Sequence, residues 1–195
     1  GILTFCELLK EGGGYTRGYG LTDLAQSFMQ TKGAKADEMS DKELAKEYVL
    51  WNAEQIKSKY DNYEQWPDSV KMAAVDLQYN GGDVTRFKNF DTALREGRWQ
   101  DALSETLDVV GATDPETGKR GALRGLGNRR FDIYNIVADD VGFEKIQSLE
   151  VIQDGDYSIF SYTLEGGSTI DKAISVPIHT ASGAYDSVKK KDFRT

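Results

Sequence analysis

The sequence predicts a mainly helical α+β fold with a β-rich C-terminal end. Apolar residues recur at helical spacing across the middle of the chain, from Leu44 to Val137. After Gly142 the texture changes to short strand-like runs separated by glycine turns. The 195 residues, 39% hydrophobic and 29% charged, suffice for one compact domain or two small lobes sharing one core.

The elements follow in chain order. Ile2, Leu3, Phe5, Cys6, Leu8 and Leu9 make a short helix that Gly12, Gly13 and Gly14 stop. Tyr15 to Leu21 reads as a glycine-rich strand or turn in which Gly18 and Gly20 admit a close approach. A polar stretch from Thr31 to Glu38 leads to Ser40, which with Glu43 forms a capping box. The stripe Leu44, Tyr48, Trp51, Gln55 and Tyr60, widened by Val49 and Ile56, predicts one long amphipathic helix to about Tyr60. Trp66-Pro67 interrupts the chain, and Asp68 is placed to cap a helix with core residues Val70, Ala73, Ala74 and Leu77, ending at Asn80-Gly81-Gly82.

Shorter helices follow. Phe87, Phe90 and Leu94 mark one that stops at Gly97, and Trp99, Ala102, Leu103, Thr106 and Val110 mark the next. Asp114 to Gly118 is a turn by composition, and Leu123, Leu126, Ile133, Ile136 and Val137 mark a last helix. The aromatic residues in these stripes read as core. Leu149 to Gln153, Asp156 to Leu164 and Ile170 to Ile178 then read as two or three antiparallel strands, followed by a disordered basic end.

Composition narrows the chemistry. The net charge of -8 disfavours nucleic-acid partners. No apolar run reaches the roughly 20 residues of a membrane helix, and the first residues lack the basic start of a signal peptide. Cys6 has no disulfide partner within the chain and reads as a small buried thiol. With His179 the single histidine, zinc is disfavoured, an all-oxygen calcium or magnesium site stays open, and no cofactor is implied. Lys119, Arg120, Arg124, Arg129 and Arg130 gather positive charge locally, either as a solvated helix face with ion pairs or as an active-site cluster.

Glu11 stands at a predicted helix C-terminus, where the negative end of the dipole favours the protonated acid. The segment around it carries a resemblance. Lys10-Glu11-Gly12, Thr16-Arg17-Gly18-Tyr19-Gly20, Ser40-Asp41-Lys42-Glu43, Gln78-Tyr79-Asn80-Gly81-Gly82, Leu94 to Ala102 and Gly125-Leu126-Gly127-Asn128-Arg129-Arg130 occur in that order. Together they resemble the phage-type lysozymes, the muramidases of glycoside hydrolase family 24, over residues 3 to 140.

The resemblance implies a lysozyme-like two-lobed fold in domain 1–140. Residues 1–39 form an active-site lobe, 40–60 a connecting helix and 61–140 a helical lobe; 141–195 lie outside the resemblance and read as an extension, either for attachment or assembly or simply for packing. It implies hydrolysis of the β-1,4 link between N-acetylmuramic acid and N-acetylglucosamine in peptidoglycan. Glu11 is then the acid, Thr16 holds the water, and Tyr15, Tyr19 and Asp23 contact the glycan. Arg129, Arg124 or Arg130 would orient the acid, because a buried carboxylate wants a partner.

The family's catalytic Asp has no counterpart, since only Gly12 to Tyr15 separate Glu11 from Thr16. Glu7, one helical turn from Glu11, or Asp23 is the expected replacement. Two other readings explain the gap: hydrolysis is lost and the fold serves a phage virion, or a hairpin is missing from the sequence. The resemblance also implies a phage-encoded protein, released from the host cytoplasm to the periplasm or carried in the virion. Its partners would be glycan strands and, where residues 141–195 serve attachment rather than packing, phage structural proteins. Glu11-Gly12-Gly13-Gly14-Tyr15-Thr16 is similar as well to a chitosanase turn, with Glu11 then activating the water.

Overall fold

The computed structural model describes residues 23–113 and 118–178, and the chain is α+β, mainly helical, with a small C-terminal sheet. The expected helix Ile2–Lys10 and the glycine segment Tyr15–Leu21 lie outside the described residues, as do Cys6 and His179.

A 3-10 turn, Asp23–Ala25, runs into helix α1, Gln26–Lys32, which stops at Gly33 with φ 55°. One further turn, α2, Lys35–Glu38, precedes the long helix α3, Asp41–Lys57. The stretch read as merely polar therefore holds helical turns, each anchored by a single small patch: Phe28 in α1 and Ala36 in α2 are buried.

The capping box that opens α3 is present. Ser40 Oγ accepts from Glu43 N at 3.2 Å, and Glu43 Oε2 accepts from Ser40 N at 2.9 Å. The helix ends at Lys57 rather than near Tyr60, as Ser58 Oγ donates to Gln55 O at 2.7 Å and the chain turns. Tyr60 is buried beyond that turn, and its hydroxyl donates to Asp91 Oδ1 at 2.6 Å.

Helix α4, Asp68–Gly81, is the central element, buried at Val70, Ala73, Ala74, Val75, Asp76, Leu77, Gln78 and Tyr79. Pro67, not Asp68, stands at its N-cap; Asp68 is the first helical residue, where its charge still complements the dipole. A 3-10 turn, Val84–Arg86, leads to α5, Lys88–Glu96, closed by left-handed Gly97, and α6, Trp99–Glu105. Helix α6 stops short of the expected Val110, with Thr106 Oγ1 bonding back to Leu103 O at 2.7 Å. Leu107 and Val110 reach the core from the segment that follows.

A short hairpin of β1, Gly111–Thr113, and β2, Arg120–Ala122, brings the chain to α7, Arg124–Val141. Ile136, expected on the buried stripe of α7, is 48% exposed. The packed face is instead set by Leu126, Arg129, Arg130, Tyr134, Val137 and Ala138.

Strands β3, Ile146–Asp154, β4, Tyr157–Leu164, and β5, Thr169–Ile174, form an antiparallel sheet in that order. In β4, Ser158, Phe160, Tyr162 and Leu164 are buried while the residues between them face outward. The sheet begins earlier than the sequence suggests because the Asn135 side-chain amide grips the Ile146 backbone through two 2.8 Å hydrogen bonds. Beyond β5, Ala122 N donates to Pro177 O at 2.9 Å, so the chain returns to β2.

Among the described residues, the buried apolar side chains form two clusters. The small one joins Ala25, Phe28 and Ala36 to Leu44, Ala45 and Tyr48 of α3 and to Tyr79 of α4. The large one contains Ile56 of α3, the apolar face of α4, α5, α6 and α7, and also Ile146, Phe160, Tyr162 and Leu164 of the sheet. Helix α3 thus contributes one end to each cluster, and the sheet shares its core with the helices.

Candidate functional site

A cleft of about 250 Å³ opens where the start of the small cluster meets the large one. Its lining comes from Leu24, from one face of α3 with Trp51 and Gln55, from Lys59 just past its end, from Gln78 near the end of α4, and from Gly82, Asp83 and Arg86 beyond it. Helical spacing explains the α3 contribution: residues 51, 52 and 55 lie three or four positions beyond 48 and 51 and share a face.

The floor is a fixed chain of amides. Asn52 Nδ2 donates to Tyr48 O at 2.8 Å, Gln78 Nε2 donates to Asn52 Oδ1 at 3.0 Å, and Gln78 Oε1 accepts from Val84 N at 3.5 Å. Buried polar groups joined in this way hold one geometry, because breaking any link leaves an unpaired amide. Trp51 forms the aromatic wall, half-buried and stacked on Tyr48 with ring centroids 5.9 Å apart.

The rim carries charge. Asp83 Oδ1 accepts from Thr85 N at 3.0 Å and from Thr85 Oγ1 at 2.8 Å, while Oδ2 pairs with Lys59 Nζ at 3.0 Å. Partial burial pushes the Asp83 carboxyl up, but the Lys59 ammonium and the Thr85 donors outweigh it and leave it below the usual carboxylate range. Asp83 is therefore an anion engaged in holding the rim. Arg86 Nη2 donates to Gly81 O at 3.3 Å, and its guanidinium lies 5.9 Å from the Phe87 ring centroid.

Of the residues the sequence singles out, Asp23 opens the first 3-10 turn, one position before the cleft-lining Leu24. Arg124 is exposed at the start of α7. Arg129 and Arg130 are buried against Asp76: Arg129 binds its carboxylate through Nε and Nη2, and Arg130 Nη1 reaches Oδ2 at 3.2 Å. Of the five-residue basic cluster, these two make a buried ion-pair network rather than a solvated face. Arg130 also donates from Nε to Val109 O at 3.0 Å. Its burial disfavours the charged form, against which the Asp76 carboxylate acts. Glu7, Glu11, Tyr15, Thr16 and Tyr19 lie outside the described residues.

The sequence reading did not assign Lys59, Gln78, Asp83 or Arg86 to a site. One signal for the cleft is visible in retrospect. Gln55 is a polar residue within the apolar stripe of α3, on the same face as Trp51. Among the described residues, no group of three His, Cys, Asp or Glu side chains could hold a metal ion, and no helix is long and apolar enough to cross a membrane.

Comparison with family models, with curated proteins and with solved structures finds no match for this chain.

Proposed function

We propose that the protein is a glycoside hydrolase that takes a peptidoglycan glycan strand in the cleft between Leu24 and Arg86. It would cleave the β-1,4 link after N-acetylmuramic acid, as the resemblance to the phage-type lysozymes implies. The observation that carries the reading is the lining itself: an aromatic wall at Trp51, with Gln55, Gln78 and a charged rim around it. Such a combination suits a sugar, which offers an apolar ring face and a belt of hydroxyls.

In this reading Glu11 donates the proton to the leaving oxygen and Thr16 holds the attacking water. Tyr15, Tyr19 and Asp23 contact the glycan, and Glu7 or Asp23 supplies the opposing carboxylate. Arg129, anchored by Asp76, is the cation we assign to orienting Glu11. Asp83 is a poor base because Thr85 and Lys59 occupy its oxygens. The Arg86 charge on the rim weighs against a polycationic substrate of the chitosanase kind.

The test is lysis of purified peptidoglycan, followed by turbidity and by analysis of the released muropeptides, for the full chain and for Glu11→Gln. The expected result is lysis that falls by about 100-fold or more in the variant. Lysis unaffected by Glu11→Gln assigns the acid to another residue. Absence of lysis by both proteins, with glycan binding retained, points to a binding module of a virion.

A further inference from the structure

We propose that the cleft reads a carboxylate on the glycan, with Arg86 as the residue that holds it and Trp51 under the adjoining sugar ring. The assignment rests on the glycan reading of the cleft and adds the chemistry of the group recognised there.

Among the described residues two cations line the cleft, and they are not equivalent. Lys59 is neutralised by Asp83 at 3.0 Å. Arg86 has no carboxylate within ion-pair distance among the described residues, and one of its five donors is committed, to Gly81 O. In a chain of net charge -8, a cation without a carboxylate partner among the described residues is not a by-product of general basicity.

The Arg86 group is also held in place. The bond to Gly81 O and the neighbouring Phe87 ring fix the guanidinium plane, so little freedom is lost when a ligand arrives. A planar fork with its remaining donors at a cleft edge matches the two oxygens of a carboxylate.

Space for the ligand lies beside it. Gly82, at φ 84°, runs between Leu24 and Arg86, and a Cβ there would stand 3.4 Å from Leu24 Cδ2 and 3.6 Å from Arg86 Nη1. Glycine is needed for the backbone angle, and its lack of a side chain keeps the passage to the guanidinium clear.

Two parts of peptidoglycan carry carboxylates: the lactyl ether of peptide-free muramic acid, and the stem peptide. The experiment separates them by measuring affinity calorimetrically for the full-length Glu11→Gln protein, which limits turnover, and for its Arg86→Gln derivative. The probes are the alternating N-acetylglucosamine–N-acetylmuramic acid tetrasaccharide with free lactyl carboxylates, the same tetrasaccharide with those carboxylates amidated, and the peptide-bearing form.

A charge-assisted contact predicts that a carboxylate-bearing probe binds about 10-fold tighter than the amidated one, and that the gap closes in Arg86→Gln. A gap for the peptide-free acid assigns the lactyl group, and a gap confined to the peptide-bearing form assigns the stem. Equal affinity for all three probes overturns the carboxylate assignment while the glycan reading stands. Failure of all three to bind overturns the glycan reading as well. Arg86 is exposed, so the variant should fold, and an unchanged thermal midpoint verifies that.

Discussion

Asp76 is fully buried and faces two guanidinium groups, those of Arg129 and Arg130, themselves 5% and 3% exposed. A network of this kind is weak evidence for net stability, because desolvating the charges offsets much of their attraction. Removing one member is another matter. Asp76→Ala leaves two cations facing each other without their carboxylate, and we expect a loss of about 3–5 kcal/mol in denaturant unfolding. A loss below about 1 kcal/mol would show that water or another anion replaces the carboxylate. The two arginines were legible in the sequence as part of a basic cluster. Their partner was not, since Asp76 lies 53 residues from Arg129 and occupies a helix that reads simply as apolar.

At the scale of elements, local chemistry was read correctly where it is self-contained. The capping box at Ser40 spans four consecutive positions and needs no distant partner, so its residues predict its geometry. Helices α1 and α2 escaped notice because a single buried side chain in each, Phe28 and Ala36, leaves no periodic stripe to find. Ile136 shows the converse: periodicity admits several rotations of a helix, and what packs against α7 chooses among them.

The sheet packs there, together with α4 and α6. A Cβ on Gly127 of α7 would come within 2.6 Å of Phe160 Cε2 and 3.1 Å of Leu149 Cδ2. Gly127→Ala gains up to about 1 kcal/mol in helix propensity, but the clash in a packed interior costs about 1–3 kcal/mol. The variant should therefore unfold at lower denaturant, with Phe160→Leu partly restoring it. A Gly127→Ala protein more stable than the parent would mean that the helix and sheet can separate freely.

At the scale of the whole molecule, Tyr162 ties the sheet to the helical core by donating from its hydroxyl to Leu107 O at 2.8 Å. Burial pushes its phenol well above the usual range, with the nearby Arg130 charge pulling the other way. Tyr60 is shifted in the same direction, by burial and by its bond to Asp91. A raised native pKa means that stability is fully present below about pH 10 and falls as pH rises, because the unfolded chain loses protons that the native one keeps. For Tyr162 the expected slope is about 1.4 kcal/mol per pH unit above pH 10. Denaturant titrations at pH 8 and pH 11 should show a smaller pH dependence in Tyr162→Phe; an equal one would indicate that the phenol ionises normally in the fold.

The sequence by itself determined the mainly helical α+β class, the capped long helix, the central α4 and the strand-like runs of the C-terminal end. These depend on hydrophobic period, turn residues and caps that act within a few positions. It also marked Glu11 and Thr16 as the residues on which the muramidase reading turns. Only the tertiary structure decided that the sheet shares the helices' core, that Arg129 and Arg130 pair with Asp76, and that Trp51, Gln55, Gln78 and Arg86 line one cleft. Each of these joins residues far apart in the chain, and such pairings are set by packing and desolvation rather than by local preference.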